Sequence, residues 1–525
     1  MSGPSQLAEH AGRRWDAAIV GGGHNGLACA AYLARAGLQV VVLERRDRVG
    51  GACTLERPFR DARFVMSPCA YLVGLLHPIV DDELGLRARG LRIFTLDPTQ
   101  WTPFDDGTSL VQWQDPDRTA RAVAALSPRD VDGFRAYEDL FARIRTRLRQ
   151  PDAPGWGADT WLGDAPDPNE LAARFTGDAE ALDVVLHASI ADVVEAHVRD
   201  PRLRAALHGQ GVIGTFAGPR DPGTAWIHAH HSLGLLGGWS YVEGGIGRVS
   251  ELLAEAAQDA GAVVVTAAAV ASIRPDEGVE LEDGSTVSAG LVVSNADPVR
   301  TLRLLEEGGH RDEALAARVA AWRITSPVVK VNCALSRLPT FPAAHGDPTV
   351  HRAQVEVTRG IDETQAAFAA ASRGEPAPEW CELYFQTAYD PSVAPAGCHT
   401  MSVFAQYTPY ELAAGTWATR RDEIGAAVLA AVARVAPDVA QCVIEREVLG
   451  PPDVEARIGL TGGHIFQGEC LPDQMWQRRF AARTGVPGLY LCGAATHPGG
   501  SVMGVNGRNA AQAVLADRAA RSRTG

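Results

Sequence analysis

Three glycines near the start of the chain have the spacing of a pyrophosphate-binding turn. Gly21, Gly23 and Gly26 follow a short apolar run, and Glu44 ends the next apolar run. Glycines at this spacing allow a tight turn, bring the backbone close to phosphates and let a helix pack on a strand. The amino terminus of that helix offers unpaired N–H groups and a favourable dipole. Because an acid at the position of Glu44 accepts hydrogen bonds from a ribose, the pattern predicts dinucleotide binding.

Two more glycine-rich segments are candidates for the same site. Gly50-Gly51 follows the ribose-binding acid, as it commonly does in flavoproteins, although an ordinary loop is the alternative. Near the other end of the chain a strand stops at Gly493 and a helix begins near Ser501. N–H dipoles at that helix start would stabilise the negative charge that a reduced flavin bears on N1 and O2. Taken alone, this segment is better explained as a structural strand–helix unit.

The elements that position these motifs alternate between strands and helices. DAAIV and LQVVVLE predict buried parallel strands, with a helix over Leu27–Ala36 between them. Residues 243–297 predict a helix, strands and a hairpin at Asp283-Gly284. The remaining predictions are a mainly helical region over 77–235, an exposed loop over Pro151–Pro168, strands at VVKVNCAL, AQVEVT, CELYFQTA and TMSVFAQY, and helices over 420–435 and 501–518.

Together these segments resemble the phytoene dehydrogenase-related branch of the FAD-dependent amine oxidase-like oxidoreductases. Within that branch the chain is similar to the pyridine nucleotide-disulfide oxidoreductase domain-containing subgroup, near the monocyclic carotene ketolase type. The matching stretches occur in family order along nearly the whole chain: IVGGGHNGLACAAYLARAG, VVLERRDRVGGA, SPCAYLVGLLHP, YVEGGIGRVS, VVSNADP, LTGGHIFQGE and GAATHPGGSVMGVNGRNAA.

The resemblance implies a fold class and a set of cofactor contacts. The fold is α/β, with a Rossmann-like FAD-binding domain of the glutathione-reductase type (14–76, 236–300, 485–525) interleaved with a mixed α+β substrate domain (77–235, 301–484). The implied FAD contacts are Gly21, Gly23, His24, Asn25, Gly26, Glu44, Arg45, Gly50, Gly51, Ala52, Val270, Gly493, Met503 and Asn506.

A second glycine pattern, Gly209-x-Gly211-x-x-Gly214, lies in the wrong context for a nucleotide. A helical pattern precedes it instead of a strand, and two prolines interrupt any helix after it, so we interpret it as a chance match. The sequence therefore gives no convincing NAD(P)H site. This favours a flavin that is reduced by its own substrate and reoxidised by oxygen, a quinone or another carrier.

Three residues are candidates for catalysis. Lys330 is the only lysine of the chain, and in many amine oxidase-like flavoproteins a lysine reaches flavin N5 through a water. There it could position oxygen or stabilise the reduced flavin, or it could be a surface lysine of no consequence. His464 and His497 could each donate a proton at the wall of the active site or merely hydrogen-bond a loop. His228, His230 and His231 favour structural roles, and no metal is predicted.

Composition excludes several classes of protein. The net charge of −14 argues against a nucleic-acid partner. No apolar run reaches the roughly 20 residues of a membrane span, so a cytoplasmic location is expected, with loose membrane contact left open. The nine cysteines include no C-x-x-C pair, which argues against zinc knuckles and redox-active dithiols. The sequence does not fix the oligomeric state.

These observations predict an FAD-dependent oxidoreductase that takes a hydride from a small hydrophobic substrate and creates a double bond. The bond oxidised is C–C in a desaturase or C–N in an amine oxidase. The segment from Ala494 to Asn509 has no aromatic residue, which weakens the amine interpretation. The alternatives are a flavoprotein isomerase and a flavin-holding interaction protein with little catalysis.

Overall fold

Short, mostly apolar runs form the strands of the protein. The computed structural model describes residues 12–149, 159–233 and 237–524, together with Leu7 and His10. In chain order the strands are β1 Ala17–Val20, β2 Val40–Leu43, β3 Ile93–Thr95, β4 Gln100–Pro103, β5 Ser109–Gln112, β6 Ser240–Val242, β7 Val263–Val265, β8 Val270–Arg274, β9 Gly278–Leu281, β10 Thr286–Ser288, β11 Val292–Ser294, β12 Val328–Leu335, β13 Gln354–Val357, β14 Trp380–Tyr384, β15 His399–Gln406, β16 Val443–Leu449 and β17 Leu489–Leu491.

The helices begin in most cases at a proline or after a capping side chain, as helix starts commonly do. They are α1 His24–Arg35, α2 Pro78–Leu84, α3 Pro116–Leu126, α4 Val131–Arg149, α5 Pro168–Arg174, α6 Ala179–Leu186, α7 Ile190–His197, α8 Pro201–Leu207, α9 Thr224–His231, α10 Gly247–Asp259, α11 Pro298–Glu307, α12 Glu313–Ala320, α13 Ile361–Ala371, α14 Trp417–Ala433, α15 Val439–Cys442, α16 Pro451–Ile458 and α17 Val505–Thr524. Within the described ranges no helix combines the length and apolarity needed to cross a bilayer.

A parallel sheet brings together strands from both ends of the chain. Its order is β17-β11-β1-β2-β7. β1 therefore lies between β2, which also belongs to the N-terminal segment, and β11, which comes from the middle of the chain. β1 and β2 are fully buried, which explains why their sequences are uninterrupted apolar runs. The crevice at the carboxyl end of the central strand is where open α/β sheets bind ligands.

Three helices share one core with this sheet. α1, α10 and α17 each contribute buried side chains to it, and α17 lies close against α1. Gly507 makes this approach possible, because a Cβ at this position would lie 2.0 Å from the carbonyl oxygen of Asn25. The C-terminal helix is therefore held against the helix that starts at the glycine motif.

A seven-stranded sheet forms the second part of the fold, in the order β16-β12-β15-β14-β13-β4-β5. Its register places Lys330 opposite Phe404, Phe404 opposite Glu382 and Glu382 opposite Glu356. Side chains of directly paired residues point to the same face of a sheet. Lys330, Phe404, Glu382 and Glu356, from four strands, therefore form one row across this sheet. We call it the polar row because three of its four residues are ionisable.

Most predicted elements are found with shifted boundaries. α1 begins at His24 and not at Leu27, and the C-terminal helix begins at Val505 and not at Ser501. The hairpin at Asp283-Gly284 is confirmed by the antiparallel pairing of β9 and β10. In the predicted loop over Pro151–Pro168, residues 151–158 lie outside the described residues.

The region over 77–235 contains strands that the sequence analysis did not predict. β3 pairs with β6, and β4 and β5 extend the seven-stranded sheet. These strands are only three or four residues long, which is too short for an alternating pattern to be recognised. The second glycine pattern lies in a 3₁₀ turn at Gly209–Gly211 that follows α8, so no strand precedes it.

We expect Gly507→Val to lower the free energy of unfolding by ~1–3 kcal/mol, because the added side chain meets backbone of α1 that cannot move freely. Chemical denaturation measures the change. The exposed Gln512→Val on the same helix is the control and should cost about 0.5 kcal/mol through helix propensity alone. Equal losses in the two variants would contradict the close packing of α17 on α1.

Candidate functional site

The turn between β1 and α1 has the geometry of a phosphate cradle. Gly23 is the N-cap of α1, its position has no side-chain cap, and the first turn of the helix contains no acidic residue. The N–H groups at this helix start are thus left for an anion. A Cβ at Gly26 would lie 2.3 Å from the carbonyl oxygen of Gly21, so any side chain at this position would clash with the backbone of the turn. These features fit the pyrophosphate of a dinucleotide.

Glu44 lies at the end of β2, beside this turn. Its Oε2 accepts the N–H of Gly22 at 2.8 Å and its Oε1 accepts the N–H of Arg46 at 2.9 Å. Burial raises the pKa of Glu44, and the two N–H groups act in the opposite direction. The carboxylate is held in one orientation while each oxygen keeps a free lone pair, as a ribose acceptor requires.

A cavity of about 620 Å³ extends from this turn to the seven-stranded sheet. The predicted site residues that line it are Gly21, Gly23, His24, Asn25, Glu44, Arg45, Gly50, Gly51, Ala52, Val270 and Lys330. The buried Oδ1 of Asn25 has no hydrogen-bond partner among the described residues. The glycine turn, Glu44 and the sole lysine therefore line one cavity.

The C-terminal segment reaches the same cavity through Ala494, Ser501 and Val502. His24 Nε2 donates to the carbonyl oxygen of Ser501 at 3.1 Å, and burial lowers the pKa of His24 to about 4. The neutral imidazole thus joins the start of α1 to the loop before α17.

Four predicted FAD contacts do not line the cavity but support the residues that do. Gly26 and Gly493 allow close backbone packing, and Met503 accepts the N–H of His77 through its carbonyl oxygen. Asn506 Nδ2 donates to the carbonyl oxygens of Thr496 at 3.0 Å and Gly499 at 3.1 Å. Their direct contact with FAD stays a prediction.

Neither predicted histidine lies on the wall of the large cavity. His464 Nδ1 accepts the N–H of Phe466 at 3.2 Å, and its ring is fully buried. His497 Nε2 donates to the carbonyl oxygen of Thr160 at 2.7 Å, and burial lowers the pKa of His497 to about 4. His497 lines a separate cavity of about 290 Å³. Both residues were selected because they lie close in sequence to the motifs. In the structure their side chains form hydrogen bonds with loop backbone and do not face the large cavity.

Lys330 is buried in the wall of the large cavity. Its Nζ donates to the hydroxyl of Ser402 and lies 3.5 Å from the centroid of the Tyr71 ring. Burial lowers the pKa of Lys330 well below its ordinary value. The face of the Tyr71 ring stabilises the charged form of the amine, in opposition to the effect of burial. This excludes the alternative of a surface lysine.

Glu382 faces the same cavity from the polar row. Gln354 Nε2 and Gln210 Nε2 donate to its Oε1 at 2.6 and 2.7 Å. The hydroxyl of Tyr384 donates to its Oε2 at 2.6 Å. Burial raises the pKa of Glu382 to about 7, against the opposing effect of these donors and of Lys330. The carboxyl group can therefore hold or release a proton near neutral pH.

Glu356 lies next to Glu382 in the polar row, one strand further from Lys330. Its Oε1 accepts the indole N–H of Trp380 at 2.9 Å, and it is 1% exposed. Burial raises the pKa of Glu356 well above its ordinary value, and the neighbouring Glu382 adds to this. Two adjacent carboxyl groups rarely ionise together, so we infer that the pair retains a proton at neutral pH.

The sequence analysis missed the aromatic and polar residues of this end of the cavity: Tyr71, Gln210, Gln354, Glu382, Tyr384 and Phe404. Tyr71 and Tyr384 lie with ring centroids 4.5 Å apart. The aromatic wall that Ala494–Asn509 lacks is thus supplied by other segments. One signal was available, because Glu382 is the one charged residue in the otherwise apolar and aromatic strand Trp380–Tyr384.

The described residues contain no group of three or more His, Cys, Asp or Glu side chains that could hold a metal ion. His228, His230 and His231 lie on α9, and His230 Nε2 donates to the carbonyl oxygen of Gly500 at 3.1 Å. All nine cysteines are free thiols.

Comparisons with known proteins cover both parts of the fold. A family model described as flavin containing amine oxidoreductase matches residues 174–515. A second model, described as an NAD(P)-binding Rossmann-like domain, matches residues 19–75, which contain the glycine turn and Glu44.

Relatives align along nearly the whole chain. The mouse pyridine nucleotide-disulfide oxidoreductase domain-containing protein 2 is 34% identical, over 96% of this chain and 94% of that protein. A limonene dehydrogenase subunit from Castellaniella defragrans is 26% identical, over 96% of this chain and 95% of that protein. The solved structure of cyclohexylamine oxidase from Brevibacterium oxydans has a TM-score of 0.56 at 17% identity, over 97% of this chain and 100% of that chain. The predicted fold class is confirmed.

The pH dependence of stability tests the environment of Glu382. Its pKa of about 7 in the folded protein exceeds the ~4.3 of an exposed glutamate, so folding binds the proton. Stability that is present at low pH is then lost as the pH rises from about 4.5 through about 7. Because glutamine does not ionise, Glu382→Gln should gain ~3 kcal/mol in unfolding free energy relative to wild type across this window.

Chemical denaturation at a series of pH values measures this difference. Glu411→Gln, at an exposed position, is the control and should show no such trend. A difference between Glu382→Gln and wild type that stays constant with pH would contradict the buried, near-neutral carboxyl group.

Proposed function

The chain belongs to the flavin containing amine oxidoreductase family, and from that premise we propose that it removes a hydride from a hydrophobic small molecule and leaves a double bond in the product. It is an FAD-dependent oxidoreductase, as its resemblance to this family implied. The observation on which the proposal rests is the single cavity that joins the phosphate cradle and Glu44 to Lys330 and Glu382.

FAD, when bound, supplies the hydride acceptor for this chemistry. The glycine turn before α1 would hold its pyrophosphate, and Glu44 would accept hydrogen bonds from its ribose. The loop from Ala494 to Val502 closes the cavity next to the start of α17. The N–H groups at that helix start favour negative charge on the reduced ring.

The other end of the cavity orients the substrate. Tyr71, Tyr384 and Phe404 give it an aromatic wall, and Ile213, Val328 and Ile465 add apolar surface. Apolar walls favour a hydrophobic substrate and exclude water from the reacting bond. Glu382 then has the position and the pKa to accept at Oε2 or Oε1 the proton that leaves the substrate.

The residues of the cavity favour oxidation of a C–C bond over oxidation of a C–N bond. Lys330 Nζ already lies over the face of the Tyr71 ring, where a substrate ammonium would otherwise bind. The limonene dehydrogenase subunit, a relative over nearly the full length, is named for the dehydrogenation of a hydrocarbon. The likeness to cyclohexylamine oxidase concerns the fold alone. The electron acceptor in this proposal is oxygen, a quinone or another carrier.

An anaerobic screen tests the proposed reaction. Purified holoprotein is mixed with hydrophobic metabolites without oxygen, and loss of the flavin colour identifies a substrate. We expect the mass of the product to be lower by two hydrogens. A gain of oxygen, or turnover only after the flavin has been reduced beforehand, would contradict the proposal and would indicate a monooxygenase or an isomerase.

A substitution of Lys330 tests its role at the flavin without a known substrate. We expect Lys330→Met to bind FAD as wild type does, and the reduced flavin to be reoxidised by oxygen about 10–100-fold more slowly, because the cavity loses a buried cation near the aromatic wall. Photoreduction followed by mixing with oxygen measures the rate.

The control for this experiment is Ser402→Ala, which removes only the hydroxyl that accepts from Lys330. It should have a smaller effect than the loss of the amine. Wild-type reoxidation in Lys330→Met would exclude a role for Lys330 in the reaction with oxygen.

A further inference from the structure

Arg479 is an almost fully buried arginine directly behind the C-terminal loop of the cavity. It is 1% exposed. Its Nη2 donates to the carbonyl oxygens of Phe466 at 2.9 Å and Ala494 at 2.6 Å. Its Nη1 donates to the carbonyl oxygen of Glu469 at 2.9 Å, and its Nε donates to that of Thr496 at 3.3 Å. One guanidinium group thus ties together two loops.

Both loops border the large cavity. Phe466 and its neighbour Gln467 line it from one loop, and Ala494 lines it from the other. The carbonyl oxygens of Phe466 and Ala494 bond to Arg479 and are therefore not free to face a bound ring. Arg479 lies one backbone layer away from the part of the cavity that the C-terminal loop closes.

The charge of Arg479 is not neutralised by a carboxylate. Among the described residues no Asp or Glu forms an ion pair with it. The Glu469 carboxylate accepts the N–H of Phe216 at 2.8 Å and the hydroxyl of Thr215, and it lies 3.6 Å from His464 Nε2. The guanidinium contacts carbonyl oxygens, the Sδ of Met475 at 3.5 Å and the Cys470 side chain, and it lies 5.6 Å from the centroid of the Trp322 ring. Burying an arginine without an ion-pair partner costs free energy, which its hydrogen bonds to carbonyl oxygens offset in part.

The acidic residues of the cavity come from other segments. Glu44, Glu282, Glu307 and Glu382 line it, whereas Ala494, Ser501 and Val502 bring no acid. The start of α17 adds a positive helix end next to this loop. Arg479 and the helix end therefore both favour negative charge at the same end of the cavity.

We propose that Arg479 is a positioning residue that raises the electron affinity of the bound flavin, by fixing the loops at Phe466 and Ala494 and by placing a buried positive charge behind them. The inference rests on the proposed function, because it needs FAD with its isoalloxazine at this end of the cavity. Reduction leaves negative charge on the ring, and a fixed, buried cation nearby stabilises it.

Sulfite is a suitable probe, since it adds reversibly to the oxidised isoalloxazine and leaves a negative charge on the ring without a substrate. We expect Arg479→Gln to bind sulfite about 10-fold more weakly than wild type. The same change corresponds to a two-electron midpoint potential that is lower by about 30 mV. Visible absorption measures the sulfite affinity, and reductive titration against a reference dye measures the potential.

Two more variants separate charge from structure. Arg479→Lys keeps the charge with fewer hydrogen bonds, and it should restore most of the sulfite affinity and of the potential. Arg318→Met is the matched control: this exposed arginine also donates only to carbonyl oxygens, those of Arg478 and Arg479, and it should behave as wild type.

The outcomes distinguish the inference from the proposed function. Equal sulfite affinity and equal potential in wild type and Arg479→Gln overturn the role of Arg479 alone. A lysine variant as defective as the glutamine variant overturns the role of the charge. If Arg479→Gln fails to fold, the comparison of Arg479→Lys with wild type decides: a potential unchanged within error supports the inference, and a loss of about 30 mV or more overturns it. A wild-type protein that binds no FAD overturns the proposed function itself.

Discussion

The site depends on contact between α1, which begins at His24, and α17, which begins at Val505. Gly507 lets α17 approach the backbone of α1, and His24 donates to the carbonyl oxygen of Ser501 across the same junction. Without this contact the phosphate cradle would open to solvent and the C-terminal loop would have nothing to close against. The parallel sheet also holds the two ends of the chain together, because β1, β11 and β17 come from three distant segments and are adjacent in space.

Once these segments are joined, the cavity divides into two chemically different ends. One end, which we propose for the nucleotide and call the nucleotide end, presents backbone N–H groups and the fixed carboxylate of Glu44. The other end, which we propose for the substrate and call the substrate end, presents side chains of the polar row, held on a sheet whose backbone hydrogen bonds fix their positions. In that row burial lowers the pKa of Lys330 and raises that of Glu382 to about 7, so the Glu382 carboxyl group can exchange a proton near neutral pH.

The nucleotide end could be predicted from the sequence because its information is local. A turn, a helix start and an acid at fixed spacing specify the geometry without reference to the rest of the chain, and Gly21, Gly23 and Glu44 line the cavity. The fold class and the cofactor were predicted from the resemblance to the FAD-dependent amine oxidase-like oxidoreductases, which segments along nearly the whole chain carry. Lys330 was found through composition, as the sole lysine of the chain.

The substrate end could not be predicted in the same way. Which residues face Lys330 depends on the register of β12, β14 and β15, and a shift of one residue would turn Glu382 to the opposite face. Gln210 and Tyr71 reach the cavity from a turn and a loop that have no periodicity. His464 and His497 were selected by their proximity in sequence to the motifs, but their rings are used to hold loops.

The visible absorption spectrum of the gently purified protein, before and after addition of FAD, tests the central claim most directly. If the two chain ends form one cradle, the protein will bind one FAD per chain and show a flavin spectrum shifted from that of free FAD. A protein that is colourless as purified, and from which excess FAD is removed completely by gel filtration, would contradict the account.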